Sequence, residues 1–273
     1  MRIAELTGEV PPAARPPVLC YHRVGGPLEL GVTRVARSSF ARQMKTLARA
    51  GWRTLTLAEF SQRVAHPASR IPHPEFLLTF DDGYASLAEH VYPILADVGF
   101  TATTFLITDY VGRLNTWDVR YTWRRLGHLD WDTIGRWQAR GFDFASHTAS
   151  HQRLTWLSDG QAAAELERSR ETLRRRLGLE AARAVAYPFG ARDERIERLA
   201  RATGYELGFG GVSGEPNGSR LNLPRVPVYV WDAGQVPVGL RGDAIGALGR
   251  LIAGVANRCA VGTTMMNVFR VGS

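Results

Sequence analysis

Short apolar runs alternate with amphipathic stretches from residue 17 to about residue 232, and few folds accommodate that alternation. "PVLCYH", "WRTLTL", "FLLTF", "TATTFLIT", "FDFAS", "AVAY", "YELGF" and "VPVYV" read as strands. They are rich in β-branched and aromatic residues and bounded by turn signals. "SSFARQMKTLARAG" reads as a helix with a serine cap, with Phe40, Met44, Leu47 and Ala48 on one face and Gly51 as its stop. "SLAEHVYPILADVG" is helical with Pro93 bending it, and "DWDTIGRWQARG" is a helix ended by Gly141. Ser158 caps a long amphipathic helix that runs to Leu177, and a last helix spans Asp193 to Thr203. About seven or eight strands separated by helices predict an α/β fold with a mainly parallel sheet, and that number suits a closed barrel.

Residues 1–16, with Pro11, Pro12 and Pro16 and no periodicity, read as a flexible N-terminal arm. Residues 17–273 read as a single domain, without repeats or a long linker. A hydrophobic content of 45% with 22% charged residues excludes a disordered chain and is that of a soluble protein with a sizeable core. No basic start followed by an apolar core marks a secretory signal, and the longest apolar run, Ala244 to Ala256, is too short to span a membrane and contains Arg250. Two cysteines, Cys20 and Cys259, build no disulfide framework. The expectation is a cytoplasmic protein with no transmembrane segment. The net charge of +8 comes from arginines scattered beside glutamates, as in "AELERSRETLRRRLG", so solvated helix faces explain it and no nucleic-acid partner is expected.

Chemistry gathers where the predicted strands end. Asp81 and Asp82 follow "FLLTF", His147 and His151 follow "FDFA" in "SHTASH", and His22 follows "VLC". Strand ends in such folds share one rim, where the loops carry function. Two adjacent carboxylates at the mouth of an apolar strand repel each other and are costly to desolvate. A histidine pair four residues apart together with a carboxylate is a usual ligand set for zinc or a related divalent ion that keeps positions open. Such a cation would neutralise one aspartate as a ligand and let the other stay ionised beside it. Taken separately, the histidines could be loop residues and the aspartates a helix cap; it is their joint placement that favours a metal site.

"TFDDG", "SHTASH" and "AYPFG", in that order, resemble the first three motifs of the NodB-type polysaccharide deacetylases, carbohydrate esterase family 4. The resemblance covers roughly residues 17 to 232. It implies a distorted (β/α) barrel and a metal-dependent hydrolase that removes acyl groups from sugars. By the same resemblance Asp82, His147 and His151 are the metal ligands and Asp81 is the catalytic base. The implied cofactor is a divalent ion, Zn2+ first, with Co2+, Ni2+ or Mn2+ as alternatives. The oxyanion donor of the third motif maps to the backbone N–H of Phe189 in "YPFG", with Pro188 and Gly190 shaping the turn, and the resemblance counts Tyr187 and Pro188 with Phe189 as substrate-binding residues.

Two positions depart from the family pattern. Ala186 stands where the third motif usually begins with an arginine that orients the base, and Arg225 in "LPRVPVYV" is the candidate substitute. No histidine follows His151, so the family's C-terminal general acid is missing from its usual place. His22 ends an apolar strand of the same form near the N-terminus, and first and last strands of a barrel are neighbours. A permuted motif order of this kind resembles the branch that includes poly-N-acetylglucosamine deacetylases, and makes His22 the candidate general acid. Trp231 resembles a weakened fourth motif whose aromatic wall would pack on the acyl methyl, though core packing explains it equally. Trp117 and Asp118 could contact sugar or anchor a loop, and His66, His73, His90 and His128 read as structural.

The expected function is removal of N-acetyl groups from amino sugars of an oligo- or polysaccharide. The alternatives are a deformylase or deacylase of a lipid-linked sugar or other small N-acylated amide, and a non-catalytic carbohydrate-binding protein.

Overall fold

The structure, a computed structural model, describes residues 15–26, 33–66, 73–116, 125–211 and 219–230, with residues 232, 234, 237 and 240. Trp117, Asp118, Trp231, the first fourteen residues of the N-terminal arm and the apolar run from Ala244 lie outside the described residues.

Among the described residues ten strands follow one another: β1 (Val18–Tyr21), β2 (Arg23–Val24), β3 (Arg34–Val35), β4 (Arg53–Thr54), β5 (Glu75–Phe80), β6 (Thr103–Leu106), β7 (Asp143–Ser146), β8 (Ala184–Ala186), β9 (Leu207–Phe209) and β10 (Val226–Pro227). Seven of them form one parallel path in the order β10-β1-β5-β6-β7-β8-β9, and β4 pairs with the start of β5. The sheet curls. Leu223 bridges Phe209 of β9, and a few residues later β10 pairs with β1, so a single stretch spans the seam of a distorted (β/α) barrel. The first and last strands are therefore neighbours.

Among the described residues seven α-helices accompany this sheet: α1 (Arg37–Arg49), α2 (Leu57–Ala65), α3 (Ser86–His90), α4 (Tyr92–Asp97), α5 (Trp131–Gln138), α6 (Asp159–Leu177) and α7 (Glu194–Thr203). The amphipathic spacing works as the sequence suggests: α6 buries Ala162, Leu166, Ser169 and Leu173, and Ser158 caps it in a reciprocal box with Gln161. Three expectations are corrected. The serine cap of α1 is absent, because Ala36 is its N-cap and the serines lie inside the first turn. "WRTLTL" forms only the two residues of β4, since Thr56 accepts from the Glu59 N–H and starts α2, a helix the strand reading passed over. "VPVYV" is likewise cut to the two residues of β10. Pro93 does more than bend its helix. It sits in the first turn of α4, and the chain breaks at Val91 into α3 and α4.

Alternation along the strands sorts side chains into two sets. Val18, Leu77, Phe105, Ala145, Ala184, Ala186, Leu207 and Phe209 form an inner cluster, plugged by Leu57 and Phe60 of α2. Leu19, Tyr21, Phe76, Leu78, Phe80 and Phe144 point outward against the helices. The inner series continues past the strand ends: Leu77, Thr79, then Asp81; Ala145, then His147; Val18, Cys20, then His22. Period two alone therefore aims all three candidate groups at one mouth of the barrel. Among the described residues, no helix is long and apolar enough to cross a membrane.

Candidate metal centre and active site

The backbone at the mouth is strained where the candidate residues sit. Among the described residues the non-glycine positions with positive φ are Asp82 (69°), Thr148 (66°), His151 (63°) and Phe189 (61°), and all four belong to the three motif loops. Such conformations cost on the order of 1–3 kcal/mol each and persist only where surroundings enforce them. Here they are enforced. The Asp81 N–H donates to the Tyr21 carbonyl, after which Asp82 and Gly83 turn the chain away from the ladder. Gly83 has φ 66°, and a Cβ there would come within 2.7 Å of Leu106 Cδ2, so a larger residue would be strained and would have to displace that leucine. The Asp82 carbonyl accepts from His128 Nδ1 at 2.8 Å, which fixes that tautomer, and His128 is buried and stacked 5.2 Å from the Tyr84 ring. His128, read from sequence as merely structural, is thus a brace under the aspartate pair.

Asp82, His147 and His151 converge. Each histidine Nε2 lies 3.5 Å from Asp82 Oδ1, and their rings are 4.8 Å apart. That separation is long for a good hydrogen bond. It matches the edge, about 3.4 Å, of a tetrahedron with bonds of about 2.0–2.2 Å to nitrogen and oxygen. His147 Nδ1 donates to the Ala186 carbonyl at 2.8 Å, so its Nε2 carries the lone pair that faces Asp82. The loop between the histidines is anchored from behind, because Glu165 of α6 accepts from both the N–H and the hydroxyl of Ser150. Burial, then the neighbouring His147, push His151 down to about 3, so its imidazole is neutral, the form that ligates a cation. For His147 burial works downward too, but the charges of Asp81 and Asp82 outweigh it and leave it raised. The donor set, the tautomer and the spacing all fit a zinc-like divalent cation.

Asp81 is held differently. Arg225 Nη1 and Nη2 donate to its two carboxylate oxygens, each at 2.7 Å, and both side chains are buried. The guanidinium is held in turn by the Gly210 carbonyl at 3.2 Å and lies 5.5 Å over the Phe105 ring. Burial would raise the Asp81 carboxyl, yet the Arg225 charge and then His147 hold it well below the usual carboxylate range. The same balance of burial against His147 and His151 keeps Asp82 lowered. The candidate substitute for the missing arginine thus sits on the aspartate it was chosen for, although it comes from the seam and not from β8.

The remaining candidates divide. His22 follows β1, is half-buried, and offers a ring nitrogen within 4.8 Å of ligand atoms of both Cys20 and Asp81. Phe189 packs its ring against His151, 4.8 Å between centroids, and closes the cation pocket on that side. Gly190 allows the turn: a Cβ there would meet the Gly211 nitrogen at 2.6 Å. Pro188 is buried in the same turn. Tyr187 is corrected as a substrate contact: it is fully buried and its hydroxyl donates to the Leu221 carbonyl, so only its backbone serves the turn. Sequence reasoning also missed Cys20, whose Sγ donates to Asp81 Oδ2 at 3.5 Å. The inner-face alternation Val18, Cys20, His22 would have revealed it.

Comparison with known proteins bears on this arrangement. The model of the family described as Polysaccharide deacetylase matches residues 69–208. A Bacillus subtilis (strain 168) protein named "Putative polysaccharide deacetylase YxkH" is 28% identical over 237 residues, covering 86% of this chain and 76% of its own. The "Poly-beta-1,6-N-acetyl-D-glucosamine N-deacetylase" of Staphylococcus aureus (strain MRSA252) is 25% identical over 197 residues, 70% of this chain and 67% of that one. Among solved structures, IcaB from Ammonifex degensii superposes with a TM-score of 0.67 at 26% identity, covering 86% of this chain and 96% of that one. Streptococcus pyogenes deacetylase PplD, in complex with acetate, shares the fold with a TM-score of 0.69 at 21% identity over 80% of this chain and 93% of its own.

Proposed function

The chain belongs to the polysaccharide deacetylase family, and we propose that it is a metal-dependent N-deacetylase of N-acetylated amino sugars in an oligo- or polysaccharide. One observation carries the reading: two histidine nitrogens meet one oxygen of Asp82 while the adjacent Asp81 is fixed, ionised, by a buried arginine. The amino-sugar substrate is supported by the Staphylococcus aureus relative, whose name states that activity.

Asp82, His147 and His151 would hold the cation, with Zn2+ the best match to two imidazoles and a carboxylate. Bound there, it would polarise the acyl carbonyl and lower the pKa of a water to about 7. Asp81 orients that water and takes its proton as the oxygen adds to the acyl carbon. A free carboxylate is a weak base, and Arg225 weakens it further, so the pair serves position as much as basicity. The Phe189 N–H, in its left-handed turn, donates to the developing oxyanion. His22 gives a proton to the sugar nitrogen as the C–N bond breaks, releasing acetate and the free amine.

The test is acetate and formate release from a panel of N-acetylglucosamine oligomers, N-formyl sugars and small N-acyl amides, with chelator and with Zn2+ or Co2+ restored. Acetate from the oligomers, lost with chelator and regained with metal, is expected. Turnover confined to the formyl or non-sugar amides would reassign the substrate, and turnover indifferent to chelator would refute the metal role.

A further inference from the structure

Cys20 lies one pleat below His22 on the inner face of β1 and has no part in the chemistry above. Its thiol is buried and donates to Asp81 Oδ2 at 3.5 Å. Ligand atoms of Cys20, His22 and Asp81 all lie within 4.8 Å of one another. His22 Nδ1 is buried without a hydrogen-bonding partner among the described residues. A thiol, an imidazole and a carboxylate therefore converge, with part of their bonding capacity unused. A tetrahedral cation bonded at about 2.3 Å to sulfur and about 2.0–2.2 Å to oxygen sets those two atoms about 3.5 Å apart. The observed Sγ···Oδ2 separation has that value.

We propose that Cys20, His22 and Asp81 form a second, inhibitory site for a soft divalent cation such as Zn2+, distinct from the Asp82, His147 and His151 centre. On binding, the thiol proton leaves to solvent and the cation takes its place between sulfur and carboxylate. The thiolate and Asp81 offset two of the three positive charges that the cation and Arg225 bring together, while His22 contributes a neutral lone pair. Arg225 engages one lone pair of Asp81 Oδ2, and a carboxylate oxygen has another to give. A thiolate ligand selects Zn2+ or Co2+ over Mg2+ and Mn2+. Arg225 and the first cation both repel the incoming one, so this site fills second. Its effect on catalysis rests on the proposed function: Asp81 and His22 are the groups that move protons, and a cation held by both withdraws base and acid together.

Titration of the metal-free protein with Co2+ tests the site without reference to turnover, because thiolate ligation of Co2+ gives a near-ultraviolet charge-transfer band. The unaltered chain should take up two equivalents, the second bringing the band. Cys20→Ser should take up one, without it, and Cys20→Ala should repeat that result with a side chain that offers no donor. His151→Ala, its first centre disabled, should still show the band. Absence of the band at excess Co2+, or its persistence in both Cys20 variants, overturns the proposal. With Zn2+ in excess over one equivalent, activity should fall by roughly tenfold or more, as when general acid and base are withdrawn. In Cys20→Ser that fall should largely disappear; equal inhibition of both proteins also overturns it. A chain with the band but no deacetylase activity would refute the proposed function and leave the second site standing.

Discussion

Replacing Arg225 by methionine tests whether the seam arginine acts through Asp81. Methionine keeps the apolar contact with Phe105 and removes the charge and both 2.7 Å bonds. Removing one partner of a buried ion pair costs about 3–5 kcal/mol, a fifth or more of the stability of an ordinary domain. Part of that loss is avoidable, because Asp81 can take up a proton. Its carboxyl is held low in the folded protein, against the push of burial and by the Arg225 charge first. A carboxyl with a depressed folded pKa lends stability above its unfolded value, and that stability is lost as pH falls through the folded one. The variant should therefore be most destabilised near neutral pH, and the gap to the unaltered chain should narrow in acid. Since about 1.4 kcal/mol corresponds to one pH unit, a loss near 3 kcal/mol moves the acid limb of kcat/KM upward by about two units. Thermal unfolding of the metal-free proteins and kcat/KM profiles carried from about pH 8 down to about pH 3 measure both effects. Arg225→Lys, which keeps the charge without the fork, should recover part of each. An acid limb that stays in place while activity falls would refute the argument, since Arg225 would then act on something other than Asp81.

Asp81→Asn should keep stoichiometric metal while turnover falls on the order of 10²–10⁴-fold, as for loss of a general base; near-normal turnover would remove Asp81 from the mechanism. His22→Ala should hydrolyse amides poorly yet retain most of its rate on activated acetyl esters, whose leaving groups need no proton. Equal loss on both substrates would make His22 a structural or ligand residue. Thr56→Ala removes the capping box of α2, at the plugged end of the barrel, and should cost about 1 kcal/mol and a few degrees of Tm with kcat unchanged. Loss of activity at unchanged Tm would contradict that separation of plug from mouth.

Most strands were legible because parallel strands buried on both faces read as unbroken apolar runs, and β5, with all six residues buried, is the extreme case. The elements misread have local causes. In "WRTLTLAEF" the apolar leucines suit a strand, but Thr56 and Glu59 form a capping box, which the strand pattern masks. β10 is short because the chain crosses the seam here: Leu223, just upstream, pairs with β9, and the ladder with β1 ends where the Val228 N–H donates to the Cys20 carbonyl. A pattern of residues in one segment carries no record of which edge that segment must close.

The site divides along the same line. Ligand types and strand-end placement marked Asp82, His147 and His151, and period two on the inner face aimed Asp81, His147 and His22 at one mouth. The left-handed backbone at Asp82, Thr148, His151 and Phe189 had no such signal, since none is glycine and strain appears only once surrounding bonds enforce it. Arg225 marks the boundary between the two kinds of information. Its charge and its place ahead of a strand made it a candidate, but its fitness depends on closure: β10 must lie beside β1, and β1 beside β5, before a side chain 144 residues away can reach the end of β5. The same closure explains how Ala186 can stand where an arginine is usual. Its carbonyl still holds His147 from β8, while the guanidinium arrives from across the seam. The proposed site uses a buried fork on Asp81 and a backbone acceptor for His147, and two different strands supply them here.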